Sequence, residues 1–193
     1  MDPRDLKKML RAEALARRDA LDPQWRAEAS DAMAGLADRL GSEPGMIVSG
    51  YWPMRSEVDV RPLMAALADR GARLCLPAIL DRQTIVFREM KHGGEMIEMG
   101  FGTWGPRPDA PELVPQLMLV PLAAFDARGH RIGYGAGYYD RAIERMRAQG
   151  NAPRLVAIAF DCQEVDKVPD QPHDIQLDEI LTESGLRAFA SPL

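Results

Sequence analysis

The chain opens on two helical patterns. Asp2 ahead of Pro3 is a start signal, because an Asp side chain can cap the free N–H groups of a first turn and proline suits that turn. Leu6, Met9, Leu10 and Leu15 then give an apolar stripe at rough helical spacing. Asp22-Pro23 repeats the signal, and Trp25, Ala29, Met33, Leu36 and Leu40 continue it until Gly41, which suits the stop. The pattern changes at Met46-Ile47-Val48-Ser49-Gly50-Tyr51, a short apolar run that predicts a buried strand. A helix follows over about 61–70 and closes at Gly71, and strands follow at 73–76 and 84–87. The stretch 91–115 is rich in Gly and Pro and predicts mostly loop. Buried strands are predicted at 117–122 and 155–160, with a helix from Tyr138 to Gln149 between them and a last strand around 179–182.

Strands thus alternate with helices, and several strands are apolar on both faces. Such strands need cover on both sides, which predicts a three-layer α/β fold with a mostly parallel sheet and helices on both faces. Ligands in such folds bind outside the carboxyl ends of the strands. No internal repeat, low-complexity tract or linker interrupts the pattern, so residues 1–193 read as one domain.

Composition narrows the function. The net charge of −5 and the interspersed basic residues exclude a general nucleic-acid face, although a few cations could hold one small anion. Cys75 and Cys162 have no metal-type spacing and read as reduced core thiols. The N-terminus lacks the apolar core of a signal peptide and no run reaches membrane-span length, so a cytoplasmic protein without a membrane partner is expected.

The densest chemistry lies in Arg131-Ile132-Gly133-Tyr134-Gly135-Ala136-Gly137-Tyr138-Tyr139-Asp140-Arg141, which runs from a strand into a helix. Alternating glycines let the backbone approach a ligand, and loop N–H groups beside a helix N-terminus suit phosphate. Arg131 could add charge-assisted bonds, and Asp140 could hold Mg²⁺ beside a polyphosphate. The loop lacks the Gly-Lys-Ser/Thr of a P-loop and the spacing of a dinucleotide fingerprint. By spacing alone it is equally a tight turn in which Asp140 complements the helix dipole. Lys7 and Arg11 share a helix face that is either a phosphate contact or a solvated surface. Trp52 reads as core or ligand platform and Glu57 as surface or ligand contact, whereas Trp104, in Gly102-Thr103-Trp104-Gly105-Pro106, is harder to explain as core. His92 and His130 read as loop histidines, and 166–173 as a solvated loop.

The full string closely resembles the signature of the 5-formyltetrahydrofolate cyclo-ligase family. Other blocks resemble that family in the same order: Lys7-Lys8-Met9-Leu10-Arg11, the segment 51–59, the strand 120–126, and His173-Asp174 followed by 178–183. The resemblance implies a fold like that of the NagB/RpiA/CoA-transferase group and an enzyme that uses ATP and Mg²⁺ to turn 5-formyltetrahydrofolate into 5,10-methenyltetrahydrofolate. The substrate would be bare or polyglutamylated, and a monomer is expected. The resemblance gives ATP contacts to Lys7, Lys8, Arg11 and Arg131, and to the loop residues Gly133, Tyr134, Gly135, Ala136, Gly137, Tyr138 and Tyr139. It gives folate contacts to Trp52, Glu57, Trp104 and Tyr138, catalytic parts to Arg131 and Tyr138, metal binding to Asp140 and Asp174, and no role to His173. Some members carry a basic residue at the positions of Tyr134 and Ala136. Here both are uncharged, which leaves more phosphate neutralisation to Arg131, Lys7 and Arg11. The alternatives are a non-catalytic folate- or nucleotide-binding paralogue and a sugar-phosphate or CoA enzyme on a related scaffold.

Overall fold

The computed structural model describes residues 2–91, 93–100, 102–171 and 174–190; His92 and His173 lie outside them. In chain order the elements are helices α1 (Pro3–Asp19) and α2 (Pro23–Ala34), a 3₁₀ turn (Ala37–Leu40), β1 (Ile47–Ser49), α3 (Arg61–Asp69), β2 (Arg73–Ile79) and β3 (Ile85–Met90). Then come β4 (Met96–Gly100), β5 (Thr103–Pro106), β6 (Leu117–Pro121), β7 (Ala124–Phe125) and β8 (Arg131–Ile132). The chain closes with α4 (Tyr138–Ala148), β9 (Arg154–Ile158), a second 3₁₀ turn (Asp161–Gln163), β10 (Glu179–Thr182) and β11 (Gly185–Ala188).

The helix starts form for the reasons expected. Asp2 accepts from the Arg4 N–H at 2.8 Å, and Asp22 from the Trp25 N–H at 3.0 Å, so each caps its helix. The second helix is shorter than its apolar spacing suggests. It ends at the Gly35 cap, and the chain turns tighter before Gly41 takes a left-handed conformation (φ 60°).

Seven strands form one sheet in the order β11-β10-β9-β6-β1-β2-β3. The five central strands are parallel, and β3 and β11 run antiparallel at the edges. Successive side chains of a strand face opposite sides, and the packing follows that alternation. Leu74, Leu76, Leu117, Leu119, Val156 and Ile158 pack with α2 and α3. Cys75, Met118, Val120, Leu155, Ala157 and Ile180 pack with α4. Both faces are therefore covered by helices, as the continuous apolar runs require. Each large side chain buried in these layers contributes about 1.5–3 kcal/mol. Cys75 is fully buried among them, and burial pushes its thiol up to about 12, so it is an inert core residue; both cysteines are free.

Several elements depart from expectation. The Gly- and Pro-rich stretch holds the β4–β5 hairpin, bulged between Glu98 and Gly100. Strands β7 and β8 form a two-residue hairpin, and β11 extends the sheet past β10. Along α1 the expected apolar stripe is not the buried face: Met9 is exposed, and the buried residues are Ala14 and Arg18. Among the described residues no helix is long and apolar enough to cross a membrane.

Candidate active site

From β1 the chain moves to β2 on one side, whereas β6 joins β1 on the other, so the strand order reverses there. Open α/β sheets bind ligands outside the carboxyl ends of strands at such a point. A cavity of about 620 Å³ lies there, walled by Tyr51 and Trp52 beyond β1, Pro77 and Ile79 at the end of β2, and Pro121 at the end of β6. The rest of its wall comes from α1, the turn 53–57, the β4–β5 hairpin and the loop into α4.

The glycine loop forms one side. Gly135 (φ 104°) and Gly137 (φ 68°) hold left-handed conformations that other residues adopt only with strain. Gly137 caps α4, and a Cβ there would stand 2.8 Å from an Arg141 nitrogen. No side chain caps this helix, so its first N–H groups face the loop, the arrangement that accepts a phosphate. A Cβ at Gly133 would meet nothing within 4 Å, which keeps that approach open. Gly133, Tyr134, Ala136, Gly137, Tyr138 and Tyr139 line the cavity, and Gly135 does not. The Tyr139 hydroxyl is buried and has no hydrogen-bond partner among the described residues.

Helix α1 forms a second side with cations. Lys7, Arg11, Ala14 and Arg18 are spaced 4, 3 and 4 apart and so share one face. Arg11 lines the cavity, and its Nε donates to the Gly133 carbonyl at 2.8 Å. Lys7 donates to Asp174 at 2.8 Å beside the cavity. Lys8 is exposed and makes no part of the wall.

Aromatic and carboxylate groups form the third side. Trp52 lines the cavity while packing on the core, and the Arg61 guanidinium stands 5.2 Å from its ring centroid. Trp104, on β5, is 42% exposed at the rim, and Met99 from the same hairpin stands beside it. Glu57 faces the cavity and accepts from the Met54 N–H at 2.8 Å. Burial raises its carboxyl above the ordinary value, opposed by Tyr134, the Met54 N–H and the Arg18 charge. A half-buried carboxylate with acceptor capacity to spare suits a ligand that presents paired N–H donors.

Arg131 links Asp140 to the segment that carries Asp174. The Arg131 side chain is 6% exposed, donates to Asp140 at 2.8 Å and to the Ile175 carbonyl at 2.9 Å. One guanidinium thus ties the start of α4 to the residue after Asp174. Among the described residues no three His, Cys, Asp or Glu side chains cluster as a metal cage. Two carboxylates beside a phosphate cradle are the donor set of a Mg²⁺ that completes its shell with phosphate and water, so the residues fit that ion.

Sequence reasoning missed Arg18, Tyr51, Met99 and the β2 residues Pro77 and Ile79. For Arg18 the signal existed, since it continues the Lys7 and Arg11 face. The others carry no signal, because only the fold turns them toward the cavity.

Fold and site together define an α/β protein whose cavity combines cations and a glycine loop, suited to phosphate, with aromatic rings and a carboxylate, suited to a flat heterocycle. Comparison with known proteins makes this specific. The 5-formyltetrahydrofolate cyclo-ligase family pattern matches residues 4–183. The chain is 30% identical over 190 residues to the 5-formyltetrahydrofolate cyclo-ligase of Mycolicibacterium smegmatis, across 94% of this chain and 95% of that one. It is 29% identical over 178 residues to the enzyme of that name from Escherichia coli K12, across 87% and 95%. The NMR structure of Aquifex aeolicus 5,10-methenyltetrahydrofolate synthetase superposes with a TM-score of 0.77 at 26% identity, across 97% of this chain and 95% of that one. This chain belongs to the 5-formyltetrahydrofolate cyclo-ligase family.

Proposed function

We propose that this protein uses ATP to close 5-formyltetrahydrofolate to 5,10-methenyltetrahydrofolate, releasing ADP and phosphate. The observation that carries the reading is the single cavity, where Arg11, Arg131 and the glycine loop meet Glu57, Trp52 and Trp104. Cations and backbone N–H groups share this cavity with aromatic rings and a half-buried carboxylate.

The chemistry needs little beyond that. The γ-phosphoryl group passes to the formyl oxygen and breaks its bond to ADP. N10 attacks the activated carbon and loses its proton, and the former formyl oxygen departs on phosphate. Phosphoryl transfer is served by positioning and charge, which Arg11, Arg131 and the α4 N-terminus supply. Ring closure is intramolecular, so clamping the folate supplies much of the rate. Glu57 binds the pterin N–H donors, and Trp52, Trp104 and Tyr138 pack on its faces. Asp140 and Asp174 would hold Mg²⁺, which neutralises phosphate charge when bound. Lys7 and Arg131, which pair with those carboxylates, would supply positive charge to the phosphates beside them. The whole chain works as one domain and as a monomer, on bare or polyglutamylated substrate.

The test is absorbance at the methenyl-folate band with purified protein, 5-formyltetrahydrofolate and Mg·ATP, leaving out each component in turn. A rise that needs both ATP and Mg²⁺ is expected. Folded protein that gives no rise overturns the reading, and turnover without ATP turns it toward the sugar-phosphate or CoA chemistry.

A further inference from the structure

Arg18 is a charged residue that the fold has buried. It is 3% exposed, on a helix whose other buried residue is alanine. A guanidinium costs several kcal/mol to bury unless its N–H groups are bonded, so its partners matter. Its Nε donates to the Ser56 hydroxyl at 2.9 Å, and its Nη1 to the Tyr134 hydroxyl at 2.7 Å. The Ser56 hydroxyl donates its hydrogen bond to the Asp19 carboxylate, so its oxygen accepts from Arg18. Ser56 directly precedes Glu57. Tyr134 belongs to the glycine loop, which carries no charge from Gly133 to Gly137. One guanidinium therefore fastens the turn that carries Glu57 to the loop that faces it.

The Tyr134 hydroxyl completes the chain. With Arg18 donating to its oxygen, its own proton goes to the Leu122 carbonyl at a long 3.3 Å, and the Glu57 carboxylate, which lines the same cavity, is the alternative acceptor. The carboxylate is the stronger acceptor. We propose that Arg18 is a positioning residue: through the Tyr134 hydroxyl and the Ser56 turn it fixes where the Glu57 carboxylate points, without touching either substrate. The inference rests on Glu57 being the folate-facing carboxylate. Electrostatics agree with the geometry. The groups facing Glu57 are Arg18 from α1, Tyr51 beyond β1, Tyr134 from the loop and Tyr139 from α4. Arg18 is the cation among them, and together with Tyr134 it opposes the rise that burial imposes on Glu57.

The experiment uses Tyr134→Phe and Arg18→Lys, each alone and combined with Glu57→Gln, with circular dichroism to confirm folding. Tryptophan fluorescence reads 5-formyltetrahydrofolate binding without turnover, and initial rates read kcat/KM against pH. Tyr134→Phe is expected to weaken folate binding about tenfold, the worth of one hydrogen bond to a charged group. The acid limb of kcat/KM for folate should move to higher pH, because a group that holds Glu57 down has gone. In the Glu57→Gln background the further change to Phe should have almost no effect on binding. An unmoved acid limb with unchanged folate binding overturns the proposal, as does a Tyr134→Phe loss that persists in full beside Glu57→Gln. If Arg18→Lys does not fold, the Tyr134 cycle decides alone. Absence of methenyl product from the unmutated protein would count against the proposed reaction, while the binding cycle would still decide the part of Arg18.

Discussion

Helices α1 and α4 both contribute to the cavity wall, yet opposite chemistry holds them. Helix α4 turns Ala142, Ile143 and Met146 onto the sheet, and only its first turn reaches the site. Helix α1 turns Lys7, Arg11, Ala14 and Arg18 inward at the same helical spacing, and three of the four are cations. An apolar inward stripe removes hydrocarbon from water and stabilises the fold. A cationic inward stripe gains little, since each hydrogen bond replaces one to water. The contrast separates an element the fold requires from one the site requires.

The largest test acts on α4. Ile143 is fully buried and does not line the cavity. Ile143→Ala should cost about 3 kcal/mol in urea unfolding, from lost burial and the cavity left behind. Turnover per folded molecule should stay within about twofold. Lost activity at unchanged stability would erase the distinction.

A smaller effect with the reverse signature is expected in α1. Arg11→Ala removes a bond to Gly133 and a cation from the cavity while favouring the helix. Unfolding free energy should change by less than about 1.5 kcal/mol. By contrast, kcat/KM for ATP should fall about 10- to 100-fold, or about 1.4–2.7 kcal/mol of transition-state stabilisation. A stability loss as large as that of Ile143→Ala, with ATP kinetics intact, would make α1 an ordinary core helix.

The same contrast explains what the sequence could reveal. Runs such as Leu117–Pro121 and Arg154–Ile158 were legible as covered strands because helices pack on both sides of them, leaving no polar alternation. The β4–β5 hairpin was not. Its residues are mostly half-buried or exposed and serve the cavity rim, so Gly and Pro dominated the pattern. Strands β7 and β8 have two residues each, too few for a period to show. The glycine loop by its spacing was equally a tight turn, and only the full string from Arg131 to Arg141, through its family resemblance, pointed to a ligand cradle. Arg18 was legible only as a continuation of the Lys7 and Arg11 face, and its partners, 38 and 116 residues away, give it a part that spacing cannot. The Lys7–Asp174 pair spans 167 residues and could come only from the fold.

The smallest effect concerns Glu57, where fold and site disagree about one residue. Its carboxyl is raised above the ordinary value, so the folded state favours the neutral form. The sign follows from proton counts. Between the ordinary value, 4.5, and the raised one, the folded protein binds more protons than the unfolded chain, so stability falls as pH rises through that window. The favourable contribution is complete below the ordinary value and gone above the raised one. Gln keeps an acceptor for the Met54 N–H but carries no charge to bury. Glu57→Gln should therefore melt higher than the unmutated protein at neutral pH, and the gap should close as pH falls toward 4.5. Subtracting the two melting curves removes Glu183, whose carboxyl burial also raises. The same variant should bind 5-formyltetrahydrofolate more weakly. A variant that is less stable at neutral pH would mean that Glu57 holds the fold together, and that its charge was not kept for a ligand.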